Sequence, residues 1–287
     1  QGAYESASGS LPEFITEWKT DNPGASANNQ IRLPIFGFLG TAYNYTVAWG
    51  DGTSDTFTTG GLGDVTHTYP APGTYQVKIS GSFPRILFNG SGDRQKILKV
   101  LNWGNIQWSS MDSAFEGCSN LRIEATDKPD LSNATSLNEM FRNATSMNDN
   151  LNNWDVSTIT SMIGTFEGAA AFNTDLSNWD VGNVTLMARM FQDASSFNRP
   201  LDMWQTSNLQ NTGAMFRRAS GFNQDIGNWN VGNVTNMKDL FAHANQFDQD
   251  LGNWNVANVT VMENMFRNVT LSTDNYDSLL IGWNTLS

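Results

Sequence analysis

The chain has little charge and almost no cysteine or histidine. Of its 287 residues only 15% are charged, with a single cysteine, Cys118, and two histidines, His67 and His243. A lone thiol excludes an internal disulfide framework. The two histidines lie far apart, and neither stands beside a Ser or Cys motif that would mark a nucleophile and its base. No catalytic residues are therefore assigned, and no enzyme is expected. Basic runs are missing as well: 16 Lys+Arg stand against 28 Asp+Glu, a formal charge of −12. Nucleic-acid binding relies on basic patches, so that partner is not expected. No apolar run reaches the length of a membrane-spanning helix, so membrane insertion is not expected either. The start, "QGAYESASGS", lacks the apolar centre of a secretory leader and reads as a trimmed tail over residues 1–10.

Apolar residues are sufficient for a core, at 39%, and they recur with a fixed period. Trp154, Trp179, Trp204, Trp229 and Trp254 fall 25 residues apart. So do Phe141, Phe166, Phe191, Phe216, Phe241 and Phe266, and beside them Phe172, Phe197, Phe222 and Phe247. Leu151, Leu176, Leu201, Ile226 and Leu251 keep the same step. Two degraded copies precede these, one around Pro129 and one beginning at Trp103, giving about seven repeats. Atypical terminal copies are what capping requires.

Each repeat divides into two parts. "TLMARMFQDA" places Leu186, Met187, Met190 and Phe191 at helical spacing after a candidate N-cap, Thr185. "LSNWDV" has the L-x-x-L-x-L pattern of a leucine-rich repeat, with Trp in the second slot. The expected fold is an N-terminal β-sandwich followed by a right-handed α/β solenoid of leucine-rich-repeat type, with one short strand and one short helix per repeat. The tryptophans read mainly as core, and the Met column (Met162, Met187, Met237, Met262) with them. Exposed rings stacking on sugar are the competing reading.

Alternation along the strand turns the residues flanking each tryptophan outward. The candidate ligand face is Asn178, Asp180, Met203, Gln205, Asn228, Asn230, Asn253 and Asn255. Amides both donate and accept, as a polyhydroxylated ligand requires. The plainer reading is a polar ladder that holds the stack together. Arg199 and Pro200 depart from the repeat beside Met203 and Gln205, which marks a recognition patch or simple drift. Asp175, Asp225 and Asp250 recur once per repeat, but no alternating-carboxylate loop accompanies them, so neither metal nor other cofactor is expected. Asn183, Asn233, Asn258 and Asn268 match the glycosylation sequon as a by-product of the repeat.

The first hundred residues do not repeat. "QIRLPIFGF", "NYTVAWGDG", "GTYQVKISG" and similar short runs alternate like strands, and Asp51-Gly52 signals a hairpin. Tyr69, six residues before Tyr75, suits a corner tyrosine. The expected units are a sandwich over 11–100, a solenoid over 101–275 and a C-terminal cap over 276–287.

"VAWGDGT" followed by "HTYPAPGTYQVKISG" resembles the PKD-type immunoglobulin-like domains of secreted bacterial proteins. "SAFEGCSNLRI", with Cys118 in its Gly-Cys slot, resembles the unit of BspA-like leucine-rich-repeat surface proteins, and "NYDSLLIGW" is similar to their C-terminal cap. The resemblance implies an extracellular or cell-surface bacterial protein that adheres to a glycan or protein on a cell or matrix surface. The alternative is a structural spacer in a larger surface protein, without a ligand of its own.

Overall fold

Alternation builds the first sheet. In β1 (Phe14–Lys19), Phe14, Thr16 and Trp18 are buried while Ile15, Glu17 and Lys19 are half-exposed. The computed structural model describes residues 12–35, 43–58 and 63–285. The expected N-terminal tail and the Phe36–Phe38 end of "QIRLPIFGF" lie outside them. β2 (Gln30–Leu33) pairs antiparallel with β5 (Val65–Thr68) as a two-stranded sheet. The larger sheet has the order β4-β3-β6-β1-β7-β8, with β3 at Asn44–Ala48, β4 at Ser54–Phe57, β6 at Thr74–Ser82, β7 at Ile97–Asn102 and β8 at Arg122–Ile123. β3 and β4 form the hairpin signalled by Asp51-Gly52, with Ala48 opposite Ser54. Gly50 turns there at φ +87, where a Cβ would strike the Gln76 carbonyl.

Aromatic rings join the two sheets. Trp49 lies flat on His67 at 4.6 Å, and Tyr69 stacks on Tyr75 at 3.8 Å. The buried Tyr69 hydroxyl donates to the Trp49 carbonyl at 3.0 Å, so this tyrosine does pin a corner. A second fastener is ionic. Asp93 and Lys96 have fully buried side chains. The Lys96 ammonium donates to the carbonyls of Ser26, Ala27 and Gln30, and the Asp93 carboxylate accepts from the N–H groups of Ala25, Ser26 and Arg32. The sheet does not stop where the repeats begin. β7 pairs antiparallel with β1 and parallel with β8, which already lies in a repeat.

Beyond β8 the expected leucine-rich-repeat solenoid is overturned. Among the described residues there is one helix, α1 (Thr273–Asn284), and after Ile123 the repeats contain neither a strand nor a helix. What stacks instead is a series of turns, joined by isolated parallel bridges at Ser136, Ser161, Leu186, Asn211, Asn236 and Val261. The helix fails at two positions per repeat that take left-handed backbone. One column is Glu139, Gly164, Arg189, Ala214, Asp239 and Asn264; the other is Asn143, Gly168, Asp193, Arg218, His243 and Asn268. Left-handed residues do not propagate an α-helix. The intervening N–H groups therefore point at the next layer: Met187, Arg189, Phe191 and Asp193 donate to the carbonyls of Asn211, Gly213, Met215 and Arg217 at 2.8–2.9 Å. Thr185 is not an N-cap, since both its N–H and its hydroxyl donate to the Thr160 carbonyl. The expected strand at each W-x-V is likewise a run of tight turns, with Trp179 N–H bonded to Leu176 and Val184 N–H to Val181.

Identical side chains therefore stack in register. Phe166, Phe191, Phe216, Phe241 and Phe266 follow one another at 5.7 Å between ring centroids. Phe172, Phe197, Phe222 and Phe247 run alongside at 5.8–6.0 Å. Each fully buried ring is worth about 1.5–3 kcal/mol of transfer free energy. The tryptophans are core, with Trp154, Trp179, Trp204, Trp229 and Trp254 only 2–4% exposed. Trp179, Trp204, Trp229 and Trp254 each donate the indole N–H to the carbonyl of the aliphatic residue one layer back, at 2.9–3.1 Å. Trp283 of α1 extends the series, donating to the Leu251 carbonyl at 3.1 Å.

Candidate functional site

The backbone that buries each tryptophan turns its two neighbours outward. Asn178, Asp180, Met203, Gln205, Asn228, Asn230, Asn253 and Asn255 are all exposed, in matching positions of successive layers. They sit on turns rather than strands, and several have local duties. Asp180, Asn230 and Asn255 each accept the N–H two residues on, from Gly182, Gly232 and Ala257, at 3.0–3.1 Å. Such side chain-to-backbone turns are the habit of Asp and Asn. Asn228 donates its amide to the Asp202 carbonyl of the layer below, and Asn178 N–H bonds to the Asn152 side chain. Gln205 reaches back to the Met203 carbonyl at 3.4 Å. Met203 stands out at 66% exposure, the apolar exception on a polar face.

The structure brings Asn178 together with Arg199, which the sequence marks as a departure from the repeat, and with residues outside the predicted face. Asn150, Asn152, Asn153, Thr174, Asp175 and Arg199 share with it an open groove of about 580 Å³. Asn152 donates to Asp175 at 3.0 Å across adjacent layers. Arg199 is exposed and anchored through Nε to the Asn173 carbonyl at 2.7 Å. Its place is taken by Thr174, Gln224 and Gln249 in neighbouring layers. A guanidinium thus lies against a wall of amides, with donors and acceptors both on offer. Of the predicted face only Asn178 lines this groove; Asp180, Met203, Gln205, Asn228, Asn230, Asn253 and Asn255 do not.

Other polar groups are committed elsewhere. Asp175, Asp225 and Asp250 each accept the N–H two residues on at 2.9 Å. Among the described residues, no group of three metal-capable side chains comes together. Glu139, Arg142, Glu167 and Arg189 form a loose network on the left-handed turns, with N···O distances of 3.3–3.7 Å. Burial raises the Glu167 carboxyl above its usual range, against the pull of Arg142 and Arg189. His67 lies 2.9 Å from Asp51, whose carboxyl burial would raise. Hydrogen bonds from Thr53 and His67 outweigh that and bring it down to about 2. Burial pushes the Cys118 thiol well up.

The family profile described as Mycoplasma protein of unknown function, DUF285, matches residues 109–221 and 200–286. The PKD domain profile matches residues 20–84. No curated protein and no solved structure matches the chain. PKD domains and DUF285 regions are typical of extracellular or surface proteins. Among the described residues, no helix is long and apolar enough to cross a membrane.

Proposed function

The chain belongs to the DUF285 family, and from that premise we propose that it is a non-catalytic adhesion module of a bacterial surface or secreted protein. The pairing of a DUF285 region with a PKD domain supports a surface adhesion-type protein. The ligand would be a glycan or a protein on a cell or matrix surface, held on the polar face beside the buried tryptophans. The observation that carries this reading is the groove beside Arg199, where an arginine stands in a column that is otherwise Asp149, Thr174, Gln224 and Gln249, against a wall of Asn side chains. Neutral amides recognise hydroxyl groups, and Met203 adds an exposed apolar contact. With few aromatic anchors exposed, one glycan chain would bind weakly, at about 0.1–1 mM, and adhesion would depend on many copies.

The test is adhesion and glycan-array binding by the folded chain. Arg199→Ala, and the triple substitution Asp180→Ala, Gln205→Ala and Asn230→Ala, should each lower binding, while Lys238→Ala should not. Equal adhesion by all variants would leave the spacer reading. That reading has its own support, because Asp180, Asn230 and Asn255 are already occupied in turns of their own layers.

A further inference from the structure

The Met–Phe segments give the stack a direction. From residue 137 onward, each inner layer donates four N–H groups to the next, as Leu137, Glu139, Phe141 and Asn143 do to Ser161, Ile163, Thr165 and Glu167. In these segments no backbone bond between layers runs the other way. The bonds that oppose them lie outside these segments: the carbonyls of Thr135, Thr160, Thr185, Gln210 and Thr235 accept from the layer that follows, as do those of Thr145, Ala170 and Ser195. At the start of the stack the outward carbonyls are covered, with Ala114 accepting from Phe88 N–H and Asp112 from the Arg85 guanidinium. At the other end they have no counterpart. The N–H groups of Met262, Asn264, Phe266 and Asn268 bond to nothing among the described residues, and neither does the Thr260 carbonyl.

Side chains show the same gap. Val259, Met262 and Phe266 are partly exposed, whereas Val234, Met237 and Phe241 one layer below are fully buried. α1 fills only the tryptophan half of this end, through Trp283 on Leu251 and Ser278 on Asp250. We propose that Thr260–Asn268 is a docking edge for a segment of another polypeptide chain, laid across it as one further layer.

The pattern of bonding groups selects the occupant. One acceptor followed by four donors on alternate residues fits a peptide backbone in parallel register; an anion would leave the Thr260 carbonyl unpaired. A second copy of this chain does not fit. End to end, N–H would face N–H, and the opposite end is occupied by Arg85 and Phe88. The complementary segment needs one N–H, then carbonyls on alternate residues, with Met- and Phe-like side chains to cover Met262 and Phe266. It does not need a tryptophan, because that slot is taken.

The probe is a synthetic peptide with the sequence of residues 235–246, TNMKDLFAHANQ. Amide hydrogen exchange is followed by NMR on the intact chain with and without it. Exchange at Met262, Asn264, Phe266 and Asn268 should slow about tenfold or more, the scale of one backbone hydrogen bond made at each. Met237 and Asp239, already bonded, should not change. Phe266→Ala should abolish the protection at the remaining three amides. Unchanged exchange at the peptide's solubility limit would overturn the proposal, as would equal protection by a scrambled peptide.

Discussion

Replacing Gly168 by alanine separates the stacked turns from the helix that the sequence suggests. In a helix interior, Gly→Ala stabilises by about 0.8–1.0 kcal/mol. Gly168, however, has φ +70. A side chain in that left-handed region costs about 1–2 kcal/mol. The new methyl would also run into the Asn143 side chain one layer back. Asn143 is exposed, so its Oδ1 can swing aside, and the left-handed backbone carries most of the cost. We therefore expect Gly168→Ala to destabilise by about 1–2 kcal/mol, opposite in sign to the helical expectation. Urea unfolding followed by far-ultraviolet circular dichroism measures this directly. Asp193→Gly, at φ 58 in the next layer, serves as control. Its pairing with Arg218 at 3.6 Å is exposed and worth little, so stability should hold or rise slightly. A raised midpoint for Gly168→Ala would refute the account of the repeat.

Four further outcomes follow from the same contacts. Trp179→Ala should cost about 3–5 kcal/mol as a cavity in the packed interior, and the loss should spread to adjacent layers in hydrogen exchange. Asp93→Ala should cost about 3–5 kcal/mol, since it leaves the Lys96 ammonium buried without its partner; a thermal melt unchanged from wild type would contradict this. The Asp51 carboxyl is held at about 2 in the fold against an ordinary 3.8, so the unfolded chain binds its proton more tightly. Its contribution is present above the ordinary value and drains away as pH falls toward 2, and Asp51→Asn should flatten that part of the stability–pH curve. EDTA should leave the melting temperature unchanged, because Asp175, Asp225 and Asp250 already accept from their own turns; recovery of a lost melt by millimolar Ca²⁺ would overturn this.

The period, the apolar columns and the Asp51-Gly52 hairpin were legible in the sequence, because each is a local or strictly repeated signal. The backbone between the columns was not. Met187, Met190, Phe191 and Ala194 lie three and four residues apart, and that spacing suits both an α-helix and a run of three-residue turns. The discriminating signal is the column Asn143, Gly168, Asp193, Arg218, His243, Asn268. Five of its six members are of the types that enter left-handed backbone most readily. Alternation around Trp179 did show that Asn178 and Asp180 face outward. It did not show that Asp180 would be held by Gly182, or that Asn178 would share a groove with Asn150 and Arg199. Those neighbours meet across layers, at separations set by how far each turn closes rather than by sequence order.

A stack built this way has two unlike ends, and this explains the place of the PKD domain. In an α-helix every interior N–H is satisfied within its own segment. Here every second N–H of a Met–Phe segment is satisfied only through the next layer, so the first layer presents carbonyls and the last presents N–H groups. Ending such a stack in water would leave a row of like groups exposed, the condition that sheets avoid by covering their edges. The segment between β6 and β7 supplies the cover at one end: Phe88 and Arg85 bond to the outward carbonyls, and β7 pairs directly with β8. On this argument the PKD domain is a fixed part of the stack's termination and not a bead on a tether. Disturbing the Asp93–Lys96 fastener, which lies between Phe88 and β7, should then loosen the first layer before the last.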